Sequence, residues 1–367
     1  MLHKRRPVLV RWLVLLVFAL TIIAAGATAV GAQNRPAADP VIAALIAQVQ
    51  TTTLIDYVNQ LTGETPALVG GAPYTFITRD TESGEPIEKA TQFAYEFMQA
   101  RSLPVDYHEW RRCGLENRNV VAEKVGVERP DEIVLVTAHI DSISYHGAAP
   151  GADDNASGSV GVMTIAEILA PVQTERTLRF VLFTGEEQGL CGSAAYARTA
   201  ANADENIVAV YNMDMIAWDA DDEPILRLHT RRTNDPGYAA DLAIANTFIA
   251  VVADYGLGSA LSPRILADGL DEDDTYSFWE YDYPGILAIE DDDEAEGDFN
   301  PYYHSSNDKV AAFNQEYFTN FVKASTGTVA ELAGIVHAPV SPHKLNLPII
   351  RRQAAAGGVR CPGTLGW

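Results

Sequence analysis

Four apolar runs of strand length stop abruptly on residues that bind metal ions or move protons, and this repeated ending constrains the fold more than any other feature. Residues 133–138 lead into His139, Ile140 and Asp141; 180–185 into Glu186 and Glu187; 208–213 into Asp214; and 285–289 into Glu290 and Asp291. A continuous apolar run signals a strand buried on both faces, as in a parallel sheet covered by helices. A further strand is predicted over 120–124. Helical periodicity marks 41–61, 87–100, 158–169, 192–201, 238–254 and a last segment near 315–336. From residue 119 the two patterns alternate, which predicts an α/β fold: a doubly wound, mixed, mainly parallel sheet with helices on both faces, in one domain over 41–340. Parallel strands share a carboxyl edge where ligand crevices form, so the four endings converge there.

Gathering carboxylates at a partly dry edge is costly, because like charges in low dielectric force some of them to take up protons. Two divalent ions and a bridging hydroxide would neutralise three carboxylates. Two more polar segments, 151–158 and 302–308, belong to loops able to close over the same edge. Imidazoles combined with carboxylates and no thiolate suit zinc or cobalt; magnesium and calcium prefer oxygen alone.

The chain has 367 residues, 47% hydrophobic, which excludes disorder as a whole-chain state. Its first residues carry Lys4, Arg5, Arg6 and Arg11, then an apolar stretch ending in small residues at Ala32. This reads as a signal peptide over 1–32 and a linker over 33–40, with an uncleaved anchor as the alternative, and places the folded part in a secreted or extracytoplasmic setting. The net charge of −23 excludes nucleic acid and anionic membrane surfaces as partners, and attracts cationic groups such as a free amine. Three cysteines are too few for a disulfide scaffold. Cys191, among small residues at a helix start, reads as a buried thiol, which pairs Cys113 with Cys361. Residues 341–367 read as an irregular extension.

The segments around Thr137–Ser142, Pro150–Gly158, Thr184–Leu190, Asn212–Met215 and Tyr303–Asp308 resemble, in order and spacing, the secreted bacterial di-zinc aminopeptidases. That metallopeptidase family also includes glutamate carboxypeptidase and glutaminyl cyclase. The resemblance implies two Zn²⁺ per chain, one held by His139 and Asp214 and the other by Glu187 and His304, with Asp154 bridging in preference to Asp153. It assigns Glu186 as general base, Tyr303 as a stabiliser of the oxyanion, Asp141 as the partner that orients His139, and Asp308 as the same for His304. Peptides with a free N-terminal amine are the implied substrates. A carboxypeptidase or dipeptidase on the same core is the alternative, needing a positive patch that Arg231 and Arg232 would supply. A catalytically inactive binding module is the other, though such a module has no use for an intact ligand set.

Other features carry less. The acidic run at 290–294 reads as a solvated loop, with Glu290 or a neighbour as a candidate for the substrate ammonium. Thr275 stands where the family commonly has a histidine. His108, His146 and His229 read as surface or structural residues, His146 close enough in sequence to line a loop over the site. The glycosylation sequon at Asn155 lies inside the loop 151–158 and is discounted.

Overall fold

The computed structural model describes residues 38–221, 223–293 and 297–337. The expected signal segment, the extension over 341–367 and Cys361 lie outside them. The chain opens with two helices, α1 (Pro40–Ile46), capped by Asp39 Oδ1 accepting from Val41 N at 2.8 Å, and α2 (Thr51–Leu61). Sequence periodicity had joined them as one segment; their axes in fact differ by 48°. A short hairpin of β1 (Ala67–Val69) and β2 (Ala72–Tyr74) leads to α3 (Glu85–Ala100).

The remaining strands form one eight-stranded sheet. They are β3 (Val105–Arg112), β4 (Leu115–Lys124), β5 (Arg129–His139), β6 (Arg176–Phe183), β7 (Ile207–Met213), β8 (Ile225–His229), β9 (Ser262–Leu266) and β10 (Gly285–Glu290), in the order β3-β4-β6-β5-β7-β10-β8-β9. The central four, β6-β5-β7-β10, are mutually parallel, while β4 and β8 flank them antiparallel. Parallel neighbours need crossovers, and α4 (Gly158–Leu169), α5 (Cys191–Asn202), α6 (Tyr238–Asp254), α7 (Asp274–Trp279) and α8 (Gln315–Ala333) supply helices around the sheet. The fold is thus the mixed, mainly parallel α/β architecture that the alternating pattern predicts. Helix α8 stops at Ala333, three residues short of the expected end, where Gly334 turns the chain with φ +72°.

β5 shows why the centre is legible as strand: Ile133 to Ala138 are all buried, because helices cover both faces. α4 lies close beneath the carboxyl end of β7. A side chain at Gly158 would meet Asn155 Oδ1 at 2.3 Å and the Met213 carbonyl at 2.5 Å, so only glycine lets the helix start there. Among the described residues no single helix is long and apolar enough to cross a membrane.

The structure corrects the cysteine assignment. Cys113 sits at the tip of the β3–β4 hairpin, in a left-handed turn with φ +56°, and is bonded to Cys191, the first residue of α5. Their Cα atoms are 6.1 Å apart, although 78 residues separate them in sequence. The hairpin folds back over the start of α5, a tertiary proximity that local composition does not encode.

Candidate metal centre

β5 delivers His139 to the carboxyl edge, and β7 ends one residue before Asp214. His139 Nε2 lies 3.2 Å from Asp214 Oδ1 and 3.3 Å from Asp154 Oδ1. On the other side, His304 Nε2 lies 2.9 Å from Glu187 Oε2 and 3.1 Å from Asp154 Oδ2. Asp154 therefore gives one oxygen to each of two groups, His139–Asp154–Asp214 and Asp154–Glu187–His304, whose donor atoms lie within 4.8 Å of one another in each group. Glu186 Oε2 stands 4.0 Å from His139 Nε2.

The turn that presents Asp154 is fixed from below. It enters through Gly151 at φ +51°, where a side chain would collide with Ser142 Cβ at 2.5 Å, and the Asp154–Asn155 peptide bond is cis. Asp153 faces the interior: its Oδ1 accepts from Ala217 N at 3.0 Å and its Oδ2 from Asn300 Nδ2 at 2.8 Å. Asp308, expected to orient His304, instead accepts from the backbone N–H groups of Asp153 and Asp154 at 2.9 and 3.1 Å. It holds the turn rather than the imidazole because its carboxylate lies under two adjacent amides. Tyr145 takes the expected position, with its hydroxyl 3.0 Å from His304 Nδ1. Asp141 lies beside His139: its carbonyl is 3.2 Å and its Oδ1 3.6 Å from Nδ1, and Oδ2 accepts from Thr81 Oγ1 and Gly185 N, each at 3.0 Å. Tyr303 stacks on His304 with ring centroids 3.6 Å apart and lines the cleft next to Asp154 and Glu186.

Two further residues depart from the sequence reading. Glu290 does not reach the cleft: it is buried, its Oε2 accepting from Ala217 N at 3.1 Å and Trp218 N at 2.7 Å, so its polar end is turned toward backbone donors. Asp292 lines the cleft instead. Arg231 offers no anion patch, since its guanidinium is buried in a two-point pair with Asp241 at 2.8 and 2.8 Å.

Arg79 is one of the residues that sequence reasoning missed. It is fully buried and donates to four carbonyls, those of Ile140 (2.7 Å), Pro150 (2.5 Å), Gly151 (2.8 Å) and Leu61 (3.1 Å). It ties the strand end that carries His139 to the turn that carries Asp154. Burial lowers its pKa to about 10, so it stays charged at neutral pH, supported by Asp308 and Asp141. A lone arginine among polar residues gives no such signal in sequence.

Electrostatics at the cluster follow from crowding. Burial and the neighbouring Asp154 charge push Glu187 up to about 7, and burial lifts Asp274 to about 8. Glu186 is raised well above the usual carboxylate range, chiefly by burial. Burial also acts to raise Asp154, but the close imidazoles of His139 and His304 outweigh it and hold it low. For His304, burial opposes protonation while Asp154 and Glu187 carry it up to about 11. Asp154 Oδ2, Glu187 Oε1 and His304 Nε2 are buried without an aligned hydrogen-bond partner. Such atoms are the exception in native proteins, and here they converge, the arrangement of lone pairs directed at a cation. Two imidazoles with carboxylates and no thiolate fit zinc.

Comparison with known proteins places this geometry in a context. The profile of peptidase family M28 matches residues 119–329. A probable zinc metalloprotease of Pyrenophora teres f. teres is 43% identical over 102 residues, which cover 26% of this chain and 22% of that protein. The chain thus matches about a fifth of the length of that relative. The LapA aminopeptidase of Legionella pneumophila superposes with a TM-score of 0.64 at 19% identity, over 81% of this chain and 75% of its own. Glutaminyl cyclase of Macrostomum lignano does so with 0.64 at 18%, over 81% and 94%. At these identities the likeness is one of fold.

Proposed function

The chain belongs to peptidase family M28, and from that membership we propose that it is a zinc-dependent aminopeptidase, removing the N-terminal residue of peptides with a free amine. The observation that carries this reading is Asp154, whose two oxygens face separate imidazole–carboxylate groups with Glu186 beside them. His139 and Asp214 would hold one zinc ion, Glu187 and His304 the other, and Asp154 would bridge them. When bound, zinc would supply Lewis acidity and would bring the pKa of a water at the site near neutrality.

The protein's own groups do the rest. Glu186, close to His139 yet outside both donor groups, takes the proton from the attacking water and gives it to the leaving amine nitrogen as the C–N bond breaks. Tyr303 lines the cleft and donates its hydroxyl proton in a hydrogen bond to the developing oxyanion. Asp141 and Tyr145 fix the two imidazole rings, which keeps the donor geometry from relaxing.

Aminopeptidase is favoured over carboxypeptidase by the cleft's charge. Among the described residues its lining holds Glu272, Asp273 and Asp292 and no lysine, arginine or histidine, and Arg231 is committed to Asp241. A substrate carboxylate finds no partner there; an ammonium does. The Cys113–Cys191 bridge supports an extracytoplasmic location, where disulfides persist. The test is a panel of one peptide in free-amine, N-acetylated and C-terminally amidated forms. Cleavage of the first and third with the second spared is expected; cleavage of the N-acetylated form would overturn the assignment.

A further inference from the structure

Glu186 and Glu187 stand between β6 and α5, on the turn 184–190. Inside the turn, the amides of Gly189 and Leu190 donate to the Glu186 carbonyl at 2.8 and 2.9 Å, and that of Cys191 to the Gly185 carbonyl at 2.7 Å. Leu190 takes a left-handed φ of +57°, and as the residue before α5 it gives the helix no side-chain cap. A left-handed leucine and an uncapped helix start each cost free energy. Left to itself, this turn has reason to relax.

The β3–β4 hairpin grips it from outside at three points. Asn119 spans its base: Oδ1 accepts from Thr184 N at 3.1 Å and Nδ2 donates to the Gly192 carbonyl at 3.0 Å. Trp110 covers its first limb, Nε1 donating to Thr184 Oγ1 at 3.0 Å and the ring lying over Gly185, where a side chain would meet it at 2.8 Å. Cys113 holds its far end through the bond to Cys191, which is buried in a small cluster with Trp110 and Ala195. His139 and Asp214 differ, since they follow the central strands β5 and β7 and are held by the sheet itself.

Resting on the aminopeptidase reading for what the two acids do, we infer that the hairpin is a brace for the catalytic turn, with Trp110 and the Cys113–Cys191 bond as positioning residues for Glu186 and Glu187. Cutting the bond frees the start of α5 and with it the turn. The group Asp154–Glu187–His304 then loosens while His139–Asp154–Asp214 stays in place. Glu186 loses its aim at the same time, so the chemical step slows although the cleft still takes substrate.

The test compares the native full chain with Cys113→Ser/Cys191→Ser and with Trp110→Phe, each well below its own Tm. Two quantities are read: kcat and KM on a leucyl anilide, and zinc binding by calorimetric titration of the demetallated chain. The double variant is expected to lose about tenfold to a hundredfold in kcat with KM nearly unchanged, and to bind one of its two zinc ions more weakly by a similar factor. Trp110→Phe keeps a ring but not the bond to Thr184, and is expected to fall between; should the double variant fail to fold, it decides by the same two readings. Variants with a lower Tm but native kcat and native affinity for both ions would make the bond a stability staple alone, which overturns the inference and leaves the aminopeptidase reading standing. A native chain that leaves the anilide uncleaved overturns that reading instead, and the zinc titration then decides the brace by itself.

Discussion

Asp153 and Asp154 are adjacent in sequence and opposite in duty, one fastened to Ala217 and Asn300, the other presented to two imidazoles. Their neighbour in space, Asp308, takes both of their amides, so a single carboxylate sets which way the turn faces. Glu186 has a different task and is predicted to show it: Glu186→Gln retains zinc while kcat falls by about 10² to 10⁴, which metal analysis and steady-state kinetics on one preparation will show. Equal turnover in the variant would remove Glu186 from its role. Arg79→Met leaves four buried carbonyls without their donor and is expected to cost at least about 3 kcal/mol of unfolding free energy in a urea titration. Of these residues His139, Glu186, Glu187 and Asp214 were legible because each follows an apolar run, whereas Asp154 and His304, in polar loops, were assigned through the family resemblance. Arg79, Tyr145 and Asn300 were not legible, because their partners are backbone atoms or residues distant in sequence.

The elements that sequence exposed and those it hid differ in their surroundings. β5, β6, β7 and β10 are covered on both faces and read as unbroken apolar runs. β3, at the sheet edge, interleaves charges with Val105 and Trp110, while β8 and β9 are five residues each, so their patterns are too short or too wet to stand out. α7 is six residues long and starts on an Asp273 cap, which gives periodicity no room. The β3–β4 hairpin earns its place through Cys113, bonded to the helix that follows Glu186 and Glu187. Cys113→Ser is expected to lose about 2 to 4 kcal/mol, seen as a lower urea midpoint under non-reducing conditions. At the end of β8, burial pushes His229 down, but hydrogen bonds to Asp268 and Asp292 outweigh it and raise it from 6.5 to about 9. Because the folded value lies above the unfolded one, this contribution is full below about pH 6.5 and lost as pH rises through about 9. Arg227, paired with Asp291, Asp292 and Asp293, and the carboxylate of Asp273 also face this end of the cleft. Thermal melts from pH 6 to 10 should therefore decline more steeply for the native chain than for His229→Gln.

At the scale of the whole molecule, one sheet collects donors from five distant stretches of chain at a single edge, and the fold's rigidity is what keeps carboxylates together that would otherwise repel. The doubly wound topology follows from the alternation of buried strands and helices, and the convergence at the edge follows from topology; both were available in sequence. The lining of the cleft was not, because it depends on how the segments after β9 and β10 fold over the site. Since zinc would bind the folded chain and not the unfolded one, chelation is expected to lower Tm, with recovery on adding zinc back. The most direct measurement is a calorimetric titration of the demetallated chain with zinc, run beside Asp154→Ala. The account predicts two zinc ions per native chain and loss of the paired binding in the variant. One ion in the native chain, or two retained without the Asp154 carboxylate, would contradict it.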